Sequence, residues 1–330
     1  MPIVIATDHG FPSLDPERAV LEAAGITLKA ISPVCKTEDD LIRNCTDADA
    51  LLVQWAPVTR RVLEALPRVR CIVRYGVGVD NFDLQAAKDL GVIAANVPDY
   101  CIEEVSNHAL SMALALVRRL PHDHNQIVRG GWGVGPFRPV PAVTDLTFGV
   151  VSFGRIARRV MEKAAVFGFQ RIAFDPLLPE EVFTAAGVRR VSFDDLLAEV
   201  DVLSLHCPLV PETRHLMNRE TIGRMKSGAI FINTARGPIV DEVALIEALE
   251  AGRLSGAGLD VFEKEPLPAD SRLRGLANVI LTSHAASVSE RSVVALQTKA
   301  AENARDFLQG KRPYSALTSG GAASVKAAKK

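Results

Sequence analysis

The sequence contains no apolar run of about 18 residues, the length at which a helix can cross a lipid bilayer, so membrane-spanning functions are excluded. Its N-terminus also lacks a basic segment ahead of an apolar one, and without that signal pattern we expect a cytoplasmic location. An excess of charge of either sign is missing as well. The 38 Lys and Arg residues are mixed with 39 Asp and Glu residues, which offers no broad positive field for nucleic acid or anionic membranes. The expected partners are small molecules or further copies of the chain.

Cysteine is scarce, and the five that occur are scattered, odd in number and without CxxC or CxxH spacing. This usage argues against disulfides and zinc, and it fits a reducing compartment. We therefore expect buried free thiols and no metal site.

Short β-branched runs alternate with helix-like stretches, and this alternation predicts parallel sheets covered by helices. Two such series follow each other in the 330 residues, so we predict an α/β protein with two doubly wound, Rossmann-like domains. Residues 102–120 are predicted to form one long amphipathic helix, residues 122–124 its polar exit, and residues 130–142 a loop or arm. The small, basic residues from 317 onward are expected to form a mobile tail. The predicted strands are 3–6, 50–54, 71–74, 148–153, 171–175, 202–206, 229–234, 256–261 and 279–282, and the other predicted helices are 15–24, 59–65, 83–90, 155–166 and 289–308.

The stretch FGVVSFGRIARRV at residues 148–160 resembles the glycine-rich turn that binds a dinucleotide pyrophosphate. The three glycine places of that turn hold Ser152, Gly154 and Ala157. Gly154 keeps the place where the backbone approaches the pyrophosphate, and alanine is tolerated at the third place. Ser152 is the departure. We predict that it keeps a negative φ, because a β-carbon is readily accepted only there.

An acidic residue is expected about 20 positions after such a turn, where it binds the adenine ribose. Asp175 lies 21 positions after Gly154, at the end of a predicted strand. No arginine follows in PLLPEE at 176–181, so NAD is favoured over NADP. The alternative is a strand-turn-helix unit packed with small residues, in which Asp175 caps the next turn.

Seven segments in a fixed order resemble the D-isomer-specific 2-hydroxyacid dehydrogenase family over nearly the whole chain. Two pieces, DYCIEEV and HAASVSE, most resemble the branch that contains the C-terminal-binding-protein corepressors and the glycerate and phosphoglycerate dehydrogenases. Those corepressors usually have an aromatic residue where this chain has Ser287. The segments are RYGVGVDN (74–81), NVPDYCIEEVSNHAL (96–110), FGRIA (153–157) with FDP (174–176), LHCPLVPETRHLMN (205–218), MKSGAIFINTARGPIVDEVAL (225–245), GAGLDVFEKEP (256–266) and TSHAA (282–286).

The resemblance implies a discontinuous substrate (catalytic) domain formed by residues 1–101 and 285–330, with an NAD-binding Rossmann domain at 102–284 inserted between them. It implies an active site in the cleft between the domains. It also implies a homodimer built through the long helix and the arm after Gly130.

Reduction of a 2-oxoacid needs a cation for the substrate carboxylate and a proton for its carbonyl oxygen. Arg236 follows a predicted strand, and its planar guanidinium suits a carboxylate. His284 lies among the small residues of TSHAA and is the candidate general acid. The resemblance assigns to Glu265 the task of keeping that imidazole protonated and oriented, with Glu263 as the nearby competitor. The alternatives are a surface arginine, a core histidine and a solvated glutamate.

Substrate and cofactor positions complete the candidate site. The successive backbone amides of Tyr75, Gly76, Val77 and Gly78 are expected to form an anion-binding nest facing Arg236. Arg74 is expected to add a second positive group for a phosphorylated or hydroxylated substrate, with a surface ion pair as the alternative. By the resemblance, the residues that line the NAD site are Arg155, Ile156, Cys207, Pro208, Thr213, Thr234, Ala235 and Asp260.

These observations predict an NAD-dependent oxidoreductase that transfers a hydride between nicotinamide and a small D-2-hydroxyacid or 2-oxoacid, such as glycerate and hydroxypyruvate, glyoxylate, or lactate and pyruvate. The alternatives are an NADH-sensing, corepressor-like binding protein, a phosphoglycerate dehydrogenase and a phosphite dehydrogenase. Formate dehydrogenases of the same superfamily are disfavoured, because they carry glutamine at the place of Glu265.

Overall fold

A computed structural model describes residues 1–133 and 140–319 of the chain. Part of the predicted arm and most of the predicted tail lie outside the described residues. The chain forms two compact units. Unit 1 consists of Met1–Cys101 and Ser289–Lys330, and unit 2 consists of Ile102–Val288. The named strands pair in parallel within a five-stranded and a seven-stranded sheet, which confirms the predicted fold class.

The elements follow the predicted alternation. The strands are β1 (Ile3–Ala6), β2 (Thr27–Ala30), β3 (Ala50–Val53), β4 (Cys71–Arg74), β5 (Ile93–Ala95), β6 (Thr147–Val151), β7 (Gln170–Phe174), β8 (Arg189–Arg190), β9 (Val202–Leu205), β10 (Ala229–Asn233), β11 (Leu254–Leu259) and β12 (Val279–Leu281). The helices are α1 (Asp15–Glu22), α2 (Glu38–Asn44), α3 (Arg60–Ala65), α4 (Leu84–Asp89), α5 (Ile102–Val117), α6 (Leu120–Val128), α7 (Arg155–Val166), α8 (Glu180–Ala185), α9 (Phe193–Glu199), α10 (Arg219–Arg224), α11 (Glu242–Glu250) and α12 (Glu290–Leu308).

Unit 1 is built on the sheet β2-β1-β3-β4-β5, whose central strand β3 is buried throughout. Helices α1 and α12 pack together, and α12 contributes Leu296 and Ala300 to the core on one face of this sheet. β3 and β4 pair with Val53 opposite Arg74. Since the two strands run parallel and end at the same level, the loops after Val53 and Arg74 lie side by side at one edge of the sheet.

Unit 2 is built on the sheet β12-β11-β10-β9-β6-β7-β8. The switch in strand order lies at β6, which is followed by the glycine-rich turn and α7. In a doubly wound sheet, ligands bind at the carboxyl ends of the strands near such a switch. The loops that leave β6, β7, β9, β10, β11 and β12 carry the predicted cofactor and catalytic residues of this unit, so those residues share one edge of its sheet.

The predicted long helix is two helices. α5 ends at Val117, and Arg119 takes a left-handed conformation with φ 56° before α6 begins. Pro121 stands in the first turn of α6, a place that favours proline. Residues 122–124, predicted as a polar helix exit, therefore lie inside a second helix.

All five cysteines are buried and free, as their spacing predicted. None of the helices in residues 1–133 and 140–319 combines the length and apolar character that a membrane crossing requires.

Candidate active site

The glycine-rich turn of unit 2 leads into the 12-residue helix α7, with Gly154 as its N-cap at φ −71°. Arg155 and Ile156 are the first two residues of the helix. The amides at a helix N-terminus lack partners within the helix and carry partial positive charge, so they bind phosphate. A Cβ built on Gly154 meets no atom within 4 Å, so the space beside this turn is open. The turn therefore retains the cradle that a pyrophosphate requires.

Ser152 has φ 70°, so the prediction of a negative φ is wrong. The turn keeps the left-handed conformation that glycine normally supplies, and hydrogen bonds hold the serine in it. The Ser152 amide donates to the Phe174 carbonyl at 2.8 Å, and its hydroxyl donates to Oδ2 of Asp175 at 3.2 Å. A left-handed side chain costs about 1–2 kcal/mol, which these bonds offset. The serine hydroxyl points toward Asp175 and leaves the space beside Gly154 open.

Asp175 follows β7 directly, and its carboxylate is buried against the turn. Besides the Ser152 hydroxyl, Oδ2 accepts from the Phe153 amide at 2.9 Å, and Oδ1 accepts from the Leu177 amide at 2.9 Å. A carboxylate oxygen has two lone pairs, so Oδ1 retains acceptor capacity for a ribose hydroxyl. The predicted acidic residue is thus in place, and it also braces the turn.

A cavity of about 560 Å³ adjoins Asp175 and includes two arginines that sequence reasoning missed. Arg190 donates to the Asp175 carbonyl at 3.3 Å and lies 3.8 Å from a Glu180 carboxylate oxygen, while Arg189 pairs with Glu199. The prediction considered only the residues directly after Asp175, whereas the sheet brings β8 beside β7. The cavity is lined by Phe174, Asp175, Pro176, Glu180, Arg189, Arg190, Val191, Ser192 and Asp195.

The loop after β9 carries Cys207, Pro208 and Thr213. Burial raises the pKa of the Cys207 thiol to about 11, although its backbone hydrogen bond opposes the shift, so the group remains a neutral thiol. The Thr213 hydroxyl donates to the Pro208 carbonyl at 2.6 Å and accepts from the Val210 amide at 2.9 Å. Thr213 therefore fixes the shape of this loop.

The loop after β10 carries Thr234 and Ala235. Oγ1 of Thr234 is buried and has no hydrogen-bond partner among the described residues. Buried polar atoms are nearly always paired in a complete assembly, so this orphaned hydroxyl indicates a place for a ligand group. Together with the open space beside Gly154 and the position of Asp175, it shows that the residues present fit a bound dinucleotide.

Asp260 follows β11 directly, and its buried carboxylate fixes the loop that follows β12. Oδ1 accepts from the Thr282 hydroxyl at 2.5 Å and from the Ala285 amide at 2.8 Å, and Oδ2 accepts from the Ala286 amide at 2.9 Å. The Asp260 carbonyl accepts from the His284 amide at 2.8 Å. These bonds hold His284 in its left-handed conformation, φ 54°.

His284 and Glu265 form a hydrogen-bonded pair, with 2.7 Å between Nδ1 and Oε2. The two side chains are 38% and 36% exposed, so water or a substrate can reach them. Burial by itself would raise the pKa of Glu265, but the hydrogen bond and charge of His284, the Phe262 amide and the charge of Arg236 together lower it. The carboxylate is therefore ionised at neutral pH, and it fixes the tautomer in which Nε2 of His284 is free to exchange a proton with a ligand.

Arg236 reaches the same edge because its loop packs closely on the loop that bears Glu265. A Cβ on Gly237 would lie 1.9 Å from the Phe262 carbonyl oxygen, so only glycine permits this approach. Nη1 of Arg236 donates to the Ala235 carbonyl at 2.8 Å. The competitor Glu263 hydrogen-bonds Nε2 of His215, so the structure pairs His284 with Glu265.

Residues 74–78 of unit 1, which the sequence analysis predicts to bind substrate, supply fewer amides than predicted. The Tyr75 amide donates to the Val53 carbonyl at 2.8 Å as the sheet continues, and the Gly76 amide donates to the Arg74 carbonyl at 3.0 Å. Across residues 1–133 and 140–319, the amides of Val77 and Gly78 donate to no acceptor. The predicted nest of four amides is therefore wrong for Tyr75 and Gly76, and two donors remain.

Arg74 folds over its own loop. Its Nη1 donates to the Tyr75 carbonyl and lies where a Cβ of residue 76 would be, while Gly76 itself has φ 150°. Glycine is thus favoured at this position by its backbone conformation, whereas the Arg74 guanidinium is the end of a flexible side chain.

Trp55 was not predicted, yet it lies in the loop beside residues 75–78 and its side chain is 58% exposed. The buried carboxylate of Asp8 fixes this loop by accepting from the amides of Gln54, Trp55 and Ala56. The signal that identifies Trp55 is its exposure on an anchored loop, which only the structure shows. The sequence alone does not show which tryptophan is exposed. Among the described residues, no group of three or more His, Cys, Asp or Glu side chains is placed to hold a metal ion.

Residues 110–286 match the family model described as D-isomer specific 2-hydroxyacid dehydrogenase, NAD binding domain. The chain is 40% identical to a D-3-phosphoglycerate dehydrogenase of Methanocaldococcus jannaschii over 276 residues, which cover 83% of this chain and 52% of that protein. The chain therefore spans about half the length of that relative. It is 37% identical to a glyoxylate reductase of Korarchaeum cryptofilum over 278 residues, which cover 83% of each chain.

Solved structures show the same fold. A D-lactate dehydrogenase from Aquifex aeolicus, complexed with NAD and lactic acid, is 31% identical, with a TM-score of 0.82 over 93% of this chain and 96% of that one.

Proposed function

Because the chain belongs to the D-isomer-specific 2-hydroxyacid dehydrogenase family, we propose that it is an NAD-dependent oxidoreductase acting on a small D-2-hydroxyacid or 2-oxoacid. The observation that carries the proposal is the hydrogen bond between His284 and Glu265 on the edge that also bears Arg236 and the nucleotide-binding turn. This arrangement supplies a proton donor, a charge that supports it and a cation for a carboxylate.

In this reaction a 2-oxoacid, NADH and a proton give a 2-hydroxyacid and NAD⁺. When bound, NAD supplies or accepts the hydride. The Arg236 guanidinium binds the substrate carboxylate and orients the carbonyl. Nε2 of His284 donates a proton to the carbonyl oxygen during reduction and takes one from the hydroxyl during oxidation. Glu265 stabilises the protonated imidazole through Nδ1.

We further propose that the substrate is unphosphorylated. Trp55 supplies an exposed apolar surface beside loop 74–78. Arg74 donates from Nη1 to the Tyr75 carbonyl of its own loop, and the Val77 and Gly78 amides are the backbone donors that face an anion there. This apolar surface suits an unphosphorylated side chain better than a phosphate dianion, which is costly to desolvate. Glyoxylate, hydroxypyruvate and pyruvate fit better than phosphohydroxypyruvate.

Unit 1 is assigned as the substrate domain and unit 2 as the NAD-binding domain. The match of residues 110–286 to an NAD-binding model supports the second assignment. A homodimer is supported by α6, which has no buried residue and exposes Leu120, Ile127 and Val128. Exposed apolar clusters of this kind commonly mark protein interfaces. Five buried free thiols support a cytoplasmic location.

The proposal is tested by following NADH oxidation with glyoxylate, hydroxypyruvate, pyruvate and phosphohydroxypyruvate. We expect turnover on at least one of the first three and a lower kcat/KM on the fourth. Absence of turnover on all four at high enzyme concentration would refute the enzymatic proposal. NADH-dependent capture of peptides in a parallel pull-down would then favour the corepressor-like alternative. A higher kcat/KM on phosphohydroxypyruvate would refute only the substrate class.

A further inference from the structure

A buried carboxylate lies directly behind loop 74–78 of unit 1. Glu17 of α1 is fully buried, and its Oε1 accepts from the Tyr75 hydroxyl at 2.8 Å. Gln297 of α12 donates from Nε2 to Oε1 and Oε2 of Glu17 at 3.1 and 2.8 Å, and to the Ser13 carbonyl at 2.8 Å. We call Glu17, Tyr75 and Gln297 the anchor cluster.

Taken alone, burial of the Glu17 carboxylate in the anchor cluster disfavours folding. Glutamate is almost never fully buried unless it is paired, because removing a carboxylate from water is costly. Burial raises the pKa of Glu17, even though hydrogen bonds from Tyr75 and Gln297 and the charge of His9 act in the opposite direction. An apolar side chain of similar size would fill this core position at lower cost. The carboxylate is therefore better explained by what it holds.

Glu17 holds Tyr75, the first residue after β4, in the loop that presents the available amides of Val77 and Gly78. Tyr75 is fixed at its backbone by Val53 and at its hydroxyl by Glu17, and its ring packs edge-on against Phe11 with 5.1 Å between centroids. The next residues, Gly76, Val77 and Gly78, follow without any intervening element. A tilt of the Tyr75 side chain would therefore move the Val77 and Gly78 amides.

The far side of the same loop is tied to α12 by a second route. The Val77 carbonyl accepts from Nδ2 of Asn96 at 2.6 Å, and the Asn96 carbonyl accepts from Nδ2 of the buried Asn303 at 3.1 Å. Gln297 and Asn303 both belong to α12. One helix thus restrains the loop at Tyr75, through Glu17, and at Val77, through Asn96.

We propose that Glu17 is a positioning residue for substrate binding, which acts through Tyr75 to set the direction of the Val77 and Gly78 amides. This inference rests on the proposed function, in which loop 74–78 binds the anionic substrate. Glu17 touches neither substrate nor cofactor, so its loss should weaken oxoacid binding and leave the chemical step and NADH binding nearly unchanged.

The test compares Tyr75→Phe and Glu17→Gln with the wild-type enzyme. Tyr75→Phe removes one hydroxyl and leaves the carboxylate short of a donor. We expect the KM for the best oxoacid to rise about five- to thirty-fold, which is about 1–2 kcal/mol at 1.36 kcal/mol per tenfold change. The kcat and the Kd for NADH should change less than about two-fold. Glu17→Gln keeps the volume and one acceptor for Tyr75, so it should retain most of the wild-type KM.

Tyr314→Phe is the matched control. It removes a tyrosine hydroxyl that donates to Asp99 at 3.1 Å in the same unit, outside the anchor cluster. Its KM should equal that of the wild-type enzyme. The binding of oxalate, an unreactive dianion, to each NADH complex is measured by calorimetry as a readout that does not depend on turnover.

An unchanged KM and oxalate affinity in Tyr75→Phe, with an active wild-type enzyme, would overturn the positioning role. Equal rises in Tyr75→Phe and Tyr314→Phe would overturn it as well. If Tyr75→Phe fails to fold, a Glu17→Leu variant replaces it, and an unchanged KM there has the same meaning. If the wild-type protein neither turns over oxoacids nor binds oxalate, the proposed function fails, and the inference falls with it.

Discussion

Replacing Glu265 with glutamine separates the charge behind His284 from the hydrogen bond. The side chains are 2.7 Å apart at Nδ1 and Oε2, and each is more than one third exposed. A hydrogen bond to a charged group is worth about 1.5–3 kcal/mol and one between neutral groups about 0.5–1.5 kcal/mol. The difference, about 1–2 kcal/mol, corresponds to a five- to thirty-fold loss in kcat/KM for oxoacid reduction. Solvent exposure places the expected value toward the lower end.

The pH dependence of the loss is more diagnostic than its size. In the proposed mechanism, reduction consumes a proton held by His284, whereas oxidation requires that imidazole to be neutral. Without the carboxylate the protonated form is less stable, so reduction by Glu265→Gln should fall off at a lower pH than in the wild-type enzyme. The pKa of Glu265 is lowered in the folded protein, so its stabilising charge is present throughout the neutral range and is lost only as the pH falls through that lowered value.

The assay records initial rates in both directions across pH 5.5–9 for the wild-type enzyme, Glu265→Gln, His284→Ala and the double variant. His284→Ala should lose about 10²- to 10⁴-fold in kcat. The second substitution should then cost little more, because both act through one group. Glu263→Gln is the control, since Glu263 pairs with His215. A Glu265→Gln variant that keeps the wild-type pH profile would refute the claim that Glu265 acts through the proton on His284. Two losses in rate that multiply in the double variant would refute the same claim.

Three further substitutions probe the surrounding scaffold. Asp175→Ala should raise the KM for NADH about ten-fold or more and narrow the preference for NADH over NADPH, because it removes the proposed ribose acceptor and loosens the turn. An unchanged ratio of kcat/KM for the two coenzymes in steady-state assays would contradict the ribose contact. Asp260→Asn should lower the free energy of unfolding by about 1–3 kcal/mol and should also lower kcat, since one amide oxygen cannot replace two carboxylate oxygens that accept three hydrogen bonds. Thermal melts and rate measurements at wild-type values would contradict this expectation. Gly237→Ala should destabilise unit 2 by about 1–3 kcal/mol and reduce activity, because its Cβ would overlap the Phe262 carbonyl; normal melting and activity would argue against the close approach of the two loops.

Local pattern was sufficient for most of the framework. The bounds of β1, β4 and α7 were predicted to the residue, because buried β-branched runs and a helix-start signal after the glycine-rich turn are properties of contiguous sequence. The family resemblance supplied the pairing of Glu265 with His284, which are 19 residues apart, and the structure reports their hydrogen bond. Composition and periodicity alone would not have joined them.

The errors fall where a distant contact decides the local conformation. Ser152 is left-handed because Asp175, 23 residues later, accepts its hydroxyl. The Tyr75 amide is unavailable to a ligand because the pairing with β3 continues one residue past the end of β4, where this amide donates to the Val53 carbonyl. In the sequence, Glu17 is one of several acidic residues in an amphipathic helix, and its proposed role depends on Gln297, 280 residues away. Such contacts carry no signal at either position taken alone.

Hydride transfer itself is tested most directly by isotope. With NADH deuterated at the transferable C4 position and the oxoacid that turns over fastest, the product 2-hydroxyacid is analysed by mass spectrometry and by its configuration at C2. The account predicts one deuterium at C2 of a D-configured product for the wild-type enzyme, and transfer slowed at least about 100-fold in Arg236→Gln with NADH binding retained. NADH oxidation without deuterium in the product, an L-configured product, or wild-type transfer by Arg236→Gln would contradict it.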